Sequence, residues 1–174
     1  MGNYYICKIF AIILIVLIVF TGCGQNRITE KEEKKETVES EMNAEVKKTA
    51  QTFRSVYMKE KSELNTLKVK RKIINCLEEK GYAAVDCDNQ IDMVNHEKVE
   101  EFCKAAEKEE QAAVDIVVVF DEGEIIQYHL ESMNGKINVR LCQVKWKDNS
   151  PQANYYDEYE ACLLYTSPSP RDCS

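Results

Sequence analysis

Apolar and polar positions recur with different periods along this chain, and each period predicts a different element. Residues Ile9 to Phe20 are apolar without interruption, after Lys8 and ahead of the small residues Thr21 and Gly22. A positive start, a short apolar core and small residues before the end form the layout of a cleavable secretory signal. A helix that crosses a bilayer needs about 20 apolar residues, so this run is short for a permanent span. Gly24 to Asn43 then has almost nothing apolar beyond Ile28, Val38 and Met42, and Glu30 to Glu36 is wholly charged. Such a segment has too little to bury to offset its ordering entropy and is predicted to be a flexible tether. Between Ala44 and Lys80 there is neither Gly nor Pro, and Ala50, Phe53, Val56, Tyr57, Leu64, Leu67, Ile73, Ile74 and Leu77 return at helical spacing. One helix of that length exceeds the usual range, so a break is predicted near Asn65-Thr66, with the second helix ending at Lys80-Gly81.

The period then shifts. Tyr82 to Val85 is predicted as a short strand, Asp86 to Asn95 as a polar loop, and His96 to Glu110 as a helix with Val99, Phe102, Cys103 and Ala106 on one face. Ala113 to Phe120 is apolar except for Asp115, which predicts a strand covered on both sides. Strand, helix, strand in that order implies a right-handed crossover and a parallel pair. After the turn Asp121-Glu122-Gly123, two alternating runs, Glu124 to Ser132 and Lys136 to Trp146, flank Asn134-Gly135. That dipeptide is a strong hairpin signal because both turn positions need positive φ. A two-residue loop fixes the register: Leu130 opposes Val139, Tyr128 opposes Leu141 and Ile126 opposes Gln143 on an apolar face. Glu131 then opposes Asn138, His129 opposes Arg140 and Gln127 opposes Cys142 on a polar face. Lys147 to Pro151 reads as a turn, and Asn154 to Glu160 begins an element that the pattern does not place.

These elements predict an α/β (α+β) domain over residues 44–146. Its order is N-terminal helices then β-α-β-β-β, forming a mixed sheet of about four strands with helices on one face. Residues 1–22 are the expected signal, 23–43 the tether, and 147–161 the start of a continuation.

Charge narrows the partners. The chain carries 23 Lys and Arg against 30 Asp and Glu, a net charge of −7. Nucleic acid and anionic lipid both call for clustered cations, so neither is expected as an electrostatic partner. The 8 cysteines include Cys76, Cys87, Cys103 and Cys142 within the domain. None forms a Cys-x-x-Cys pair, and Cys103 sits on an apolar helix stripe, so buried free thiols are favoured over bridges.

The chemistry readable from side chains is sparse, and no catalytic residue or cofactor is predicted. Asp86, Asp88, Gln90 and Asp92, with Glu97 further on, echo the spacing of a calcium loop. Ile91, however, stands where that loop needs glycine. A loop of Asx turns leading to a helix cap at Asn95 is the simpler reading, and a calcium-dependent melting shift abolished by Asp88→Ala would separate the two. The two histidines, His96 and His129, have no nucleophile placed beside them by sequence context. Asp115 is notable as a carboxylate in an apolar strand. The polar hairpin face, with Gln127, His129, Glu131, Asn138 and Arg140, is the expected contact surface.

Three resemblances add to this reading. Phe20-Thr21-Gly22-Cys23 resembles the lipobox of bacterial lipoproteins, which implies diacylation of the Cys23 thiol and a palmitate-bearing membrane anchor. Residues 162–172, Cys162 through Asp172, resemble the in-frame translation of a transposon-based sequencing adapter. Residues 162–174 are on that account expected to be an artefact, and the natural frame to run on past Ala161. Lastly, Gly81-Tyr82-Ala83-Ala84-Val85-Asp86, Asn89-Gln90-Ile91-Asp92-Met93 and Glu101-Phe102-Cys103 resemble an uncharacterised family of lipoproteins from clostridial-type Gram-positive bacteria, known only as a domain of unknown function. That resemblance implies no activity and no site residues. The expected protein is a lipoprotein on the outer face of the cytoplasmic membrane that binds a protein or envelope ligand without catalysis. The alternative expectation is the N-terminal fragment of a larger solute-binding lipoprotein or secreted enzyme.

Overall fold

A computed structural model describes residues 30–161. The expected signal and Cys23, and the whole stretch from 162 onward, lie outside the described residues. The order is α1 (Glu30–Gln51), α2 (Arg54–Lys59), α3 (Leu67–Glu79), β1 (Ala83–Asp86), α4 (His96–Glu107), β2 (Ala112–Val119), a 3-10 turn (Asp121–Gly123), β3 (Ile125–Met133), β4 (Lys136–Lys147) and β5 (Ser150–Ala161). The strands form one five-stranded mixed sheet in sequence order. Only β1 and β2 are parallel, and α4 crosses between them.

The α/β class is as predicted, with one strand more than expected. The chain turns at Asp148 and Asn149, which hold φ of 50° and 61°. Lys147 pairs with Ser150 across this two-residue turn, and β5 runs back along β4. Pro151 sits inside β5, which is tolerated because β5 is an edge strand among the described residues and can present its missing N–H to the outside.

Helices cover both faces rather than one. Met42, Val46, Ala50, Phe53, Ile73, Ile74 and Leu77 bury against Val117, Val119, Ile125, Cys142 and Val144 on the first face. Val99, Phe102 and Ala106 of α4 pack with Ala83, Val85, Ile116, Val118, Tyr128 and Leu130 on the second. The crossover helix accounts for this: a right-handed β-α-β unit sets its helix on the side of the sheet that the N-terminal helices leave free. Val117 and Val119 on one side and Ile116 on the other are buried, as a strand covered on both faces requires.

The predicted tether is corrected over Glu30 to Asn43, which belong to α1. Met42 and Val46 are 4% and 0% exposed. Burial of a few side chains at its C-terminal half holds a helix whose other positions are mostly charged or polar, which is how tertiary packing overrides an unpromising local composition. The helical region breaks near Asn65-Thr66 as predicted and has a second break, not predicted, at Thr52 and Phe53, where the Thr52 hydroxyl donates to the Thr49 carbonyl at 2.7 Å. Thr66 caps α3 as predicted, accepting from the Val69 N–H at 3.4 Å. Gly81, at φ +83°, ends it: the Gly81 N–H donates to Glu78 O and the Tyr82 N–H to Leu77 O. A side chain is strained at that φ, so glycine is the residue that fits.

Candidate functional site

The hairpin register is the predicted one, pair for pair, from Ile126 with Gln143 to Glu131 with Asn138. With β2 and β5 added, Asp115, His129, Arg140 and Glu158 lie directly opposite one another across four strands. The next row toward the hairpin tip holds Ala113, Glu131, Asn138 and Glu160. These two rows form a polar half of the first sheet face. The other half, from Gln127 and Cys142 downward, lies under α1 to α3.

Within the polar half the charges are knitted together. The His129 Nδ1 lies 2.8 Å from Asp115 Oδ1, and its Nε2 lies 3.5 Å from Glu131 Oε1. Arg140 donates from Nη2 to Glu131 Oε2 at 2.8 Å. Asn138 donates to Glu158 Oε1 at 3.1 Å, and the Tyr156 hydroxyl donates to Glu158 Oε2 at 3.2 Å. Lys136 pairs with Glu160 at 2.9 Å. The hydrogen bond that the protonated His129 donates to Asp115 raises the His129 pKa above 6.5; burial opposes the rise, as does the charge of Arg140.

That direction sets a pH dependence. A group whose folded pKa is raised contributes stability that is complete below its unfolded value and is lost as pH climbs through the folded value. His129 therefore stabilises the domain below its ordinary value near 6.5. Its contribution fades through the raised folded value. In His129→Gln, urea midpoints at about pH 6 and pH 8.5 should differ less than in the parent. An unchanged difference would show that the Asp115 contact contributes nothing.

Of the predicted contact residues, Gln127 is corrected. It is fully buried, and its Oε1 accepts from the Thr49 hydroxyl at 2.7 Å while its Nε2 donates to Asp115 Oδ1 at 3.4 Å. It holds Asp115 and is not surface. Thr49 also contacts the Tyr82 hydroxyl at 3.1 Å. Sequence reasoning missed Thr49, although a signal was there: a hydroxyl on the buried stripe between Val46 and Phe53. It also missed Glu158 and Tyr156, which lie on the unplaced strand. His129, Glu131 and Arg140 are half-buried and Asn138 is exposed.

The acidic loop after β1 has a different role. Asp86, 2% exposed, accepts three backbone N–H groups: Asp88 and Gln90 on Oδ2 at 3.2 Å each, and Ile91 on Oδ1 at 2.7 Å. Asp88 binds the buried Lys70 at 2.8 Å, and Asp121 binds the same ammonium at 2.7 Å. Burial pulls the Lys70 pKa down, but the hydrogen bonds its ammonium donates to Asp121 and Asp88 more than reverse this and raise it. Gln90 and Asp92 are exposed and do not converge on Asp86. Among the described residues no three His, Cys, Asp or Glu side chains group to hold a metal ion. Asn95 precedes α4 as predicted, but its side chain donates to Glu78 O and Tyr82 O instead of capping the helix. His96 is exposed beside Glu97 and Glu100.

Cys76, Cys87, Cys103 and Cys142 are free thiols. Burial pushes Cys142 up to about 11, so it stays a thiol at neutral pH. No described helix is long and apolar enough to cross a membrane.

A five-stranded mixed sheet with helices on both faces, and a half-face of paired charges left outside them, defines a small α/β domain. The model of a family of unknown function, DUF6070, matches residues 35–163, and the chain belongs to that family. The match begins inside α1 and includes β5. No curated protein and no solved structure matches the chain.

Proposed function

We propose that this protein is a lipid-anchored, extracytoplasmic binding module whose contact surface is the polar half of the first sheet face. The observation that carries the reading is the row Asp115, His129, Arg140 and Glu158. It spends charged and hydrogen-bonding side chains on a face whose other half is a helix-covered core. Paired charges fixed on strands are rigid, and they favour a partner of matching charge pattern while penalising others. The anchor rests on the run from Ile9 to Cys23. The ligand is a protein or envelope component that presents charges complementary to Glu131 and Arg140 and a hydrogen-bonding group to Asn138.

The anchor is tested in a Gram-positive host. The parent chain should incorporate labelled palmitate and sediment with membranes. Cys23→Ser should lose the label and move largely to the soluble or secreted fraction. Label retained in Cys23→Ser would remove the lipoprotein part of the reading while leaving the contact surface to be tested separately.

A further inference from the structure

At the end of β3 and β4 away from the hairpin tip, the chain encloses a cleft of about 600 Å³. That volume is in the usual range for a small-molecule site, about 300 to 1,000 Å³. The connection from α2 to α3, the 3-10 turn and the last residues of β4 form its walls. Tyr57, Leu64 and Trp146 are the apolar part. The Tyr57 and Trp146 rings stack with centroids 4.0 Å apart, and the Trp146 Nε1–H donates to the Gly123 carbonyl at 3.0 Å. Two fixed rings make that wall rigid.

Five charged side chains line the same cleft: Lys61, Glu63, Glu122, Glu124 and Lys145. Lys145 and Glu124 meet at 3.0 Å and neutralise each other. The remaining three stand exposed at the rim without an ion pair among the described residues. The Lys61 ammonium donates only to the side-chain oxygen of Asn149, at 2.8 Å, and lies 5.9 Å from the centre of the Tyr57 ring. Below the rim, Tyr57 is 6% exposed, and its hydroxyl has no hydrogen-bond partner among the described residues. Burial pushes the Tyr57 pKa up and the charge of Glu122 adds to the rise, so the phenol stays protonated within the field of that carboxylate. The turn holds Glu122 in place. Its φ is 58°, and its N–H donates to Asn65 Oδ1 at 2.8 Å. Asparagine adopts that left-handed conformation with less strain than glutamate, so the turn itself does not require this carboxylate.

We propose that this cleft binds a free basic α-amino acid of the lysine or ornithine class. One unpaired cation and two unpaired carboxylates are complemented by a ligand with one carboxylate and two ammonium groups. The ligand carboxylate meets Lys61. One ammonium meets Glu122 and the Tyr57 hydroxyl, the other meets Glu63, and the methylene chain lies along Leu64 and the edge of Trp146. A plain amine would leave Lys61 unmet, and a neutral amino acid would leave one glutamate unmet. This site goes beyond the contact surface on the polar half-face, from which it is separated by the length of the hairpin.

The test uses the full chain at low ionic strength, where exposed ion pairs are least screened. The chain has 1 tryptophan, so its fluorescence reports on Trp146 in the cleft wall. Lysine should change that fluorescence saturably. Norleucine, which lacks the side-chain ammonium, and lysine amide, which lacks the carboxylate, should each bind about threefold more weakly. Glu122→Asn should weaken lysine by about fivefold while melting at or above the parent midpoint, and Tyr57→Phe should weaken it by about threefold with the ring stack kept. The proposal is overturned if lysine gives no saturable change, or if Glu122→Asn binds lysine as the parent does. Lysine amide binding as well as lysine would overturn it in favour of a simple amine, and norleucine binding as well as lysine in favour of a neutral amino acid. Any of these results leaves the polar half-face to its own test, because that test reads contacts at Asn138 and Arg140.

Discussion

Val46→Asp is expected to unfold the domain. Val46 is completely buried on α1, on the face it shares with Met42 and Ala50 and in one core cluster with Phe53 and the sheet. An aspartate there exchanges apolar contacts for a carboxylate with no cation to meet it. The cost is about 4 kcal/mol or more, close to the whole stability of many domains this size. The matched control is Ala44→Asp, two residues away on the exposed side of the same helix, which should change stability by less than about 0.5 kcal/mol. Circular dichroism on heating and in urea reads both. If Val46→Asp melts with the parent, α1 is not part of the core and the charged N-terminal segment is a tether after all.

Asp86→Ala should be the next most damaging change, and it separates an architectural loop from a calcium site. Asp86 satisfies three backbone N–H groups from a position almost closed to water. Alanine leaves them without that acceptor and frees the loop that carries Asp88 to Lys70. The expected loss is about 3 kcal/mol, since bonds to a charged acceptor are stronger than neutral ones and a buried unsatisfied donor costs more still. Asp86→Asn, which keeps one acceptor oxygen, should lose roughly half as much. Millimolar calcium should leave the parent midpoint where it is. A calcium-dependent rise that Asp88→Ala abolishes would contradict this account of the loop.

The parts of the fold legible in sequence were those fixed by local chemistry. Asn134-Gly135 demands a tight turn, and a tight turn fixes every pair of the hairpin. Ala113 to Phe120, apolar on both phases, had to be covered twice, although the sequence alone did not show that α4 supplied the second cover. What stayed hidden depended on distant packing. The charges around Glu30 to Glu36 look the same in a tether as on the exposed side of a helix, and only the contacts of Met42 and Val46 decide between them. The strand β5 was concealed by Pro151 and by its own composition. Its tyrosines and acids fall on both sides, with Tyr155, Asp157 and Tyr159 alternating against Tyr156, Glu158 and Glu160. No apolar face emerges from such a run. Gln127 illustrates the same limit at the site. Register places it on the polar face, but which half of that face the helices cover is a property of the assembled layers.

The central claim is that the polar half-face is a contact surface, and site-specific photocrosslinking tests it most directly. A photoreactive residue at Asn138, in the parent chain expressed in a Gram-positive host, should give a discrete adduct. The same group at Lys104, on the exposed side of α4, should not. Arg140→Glu reverses the charge beside Asn138 and should remove the adduct while leaving the melting transition cooperative. Equal adducts from both positions, or an Asn138 adduct unchanged by Arg140→Glu, would contradict the assignment of this face.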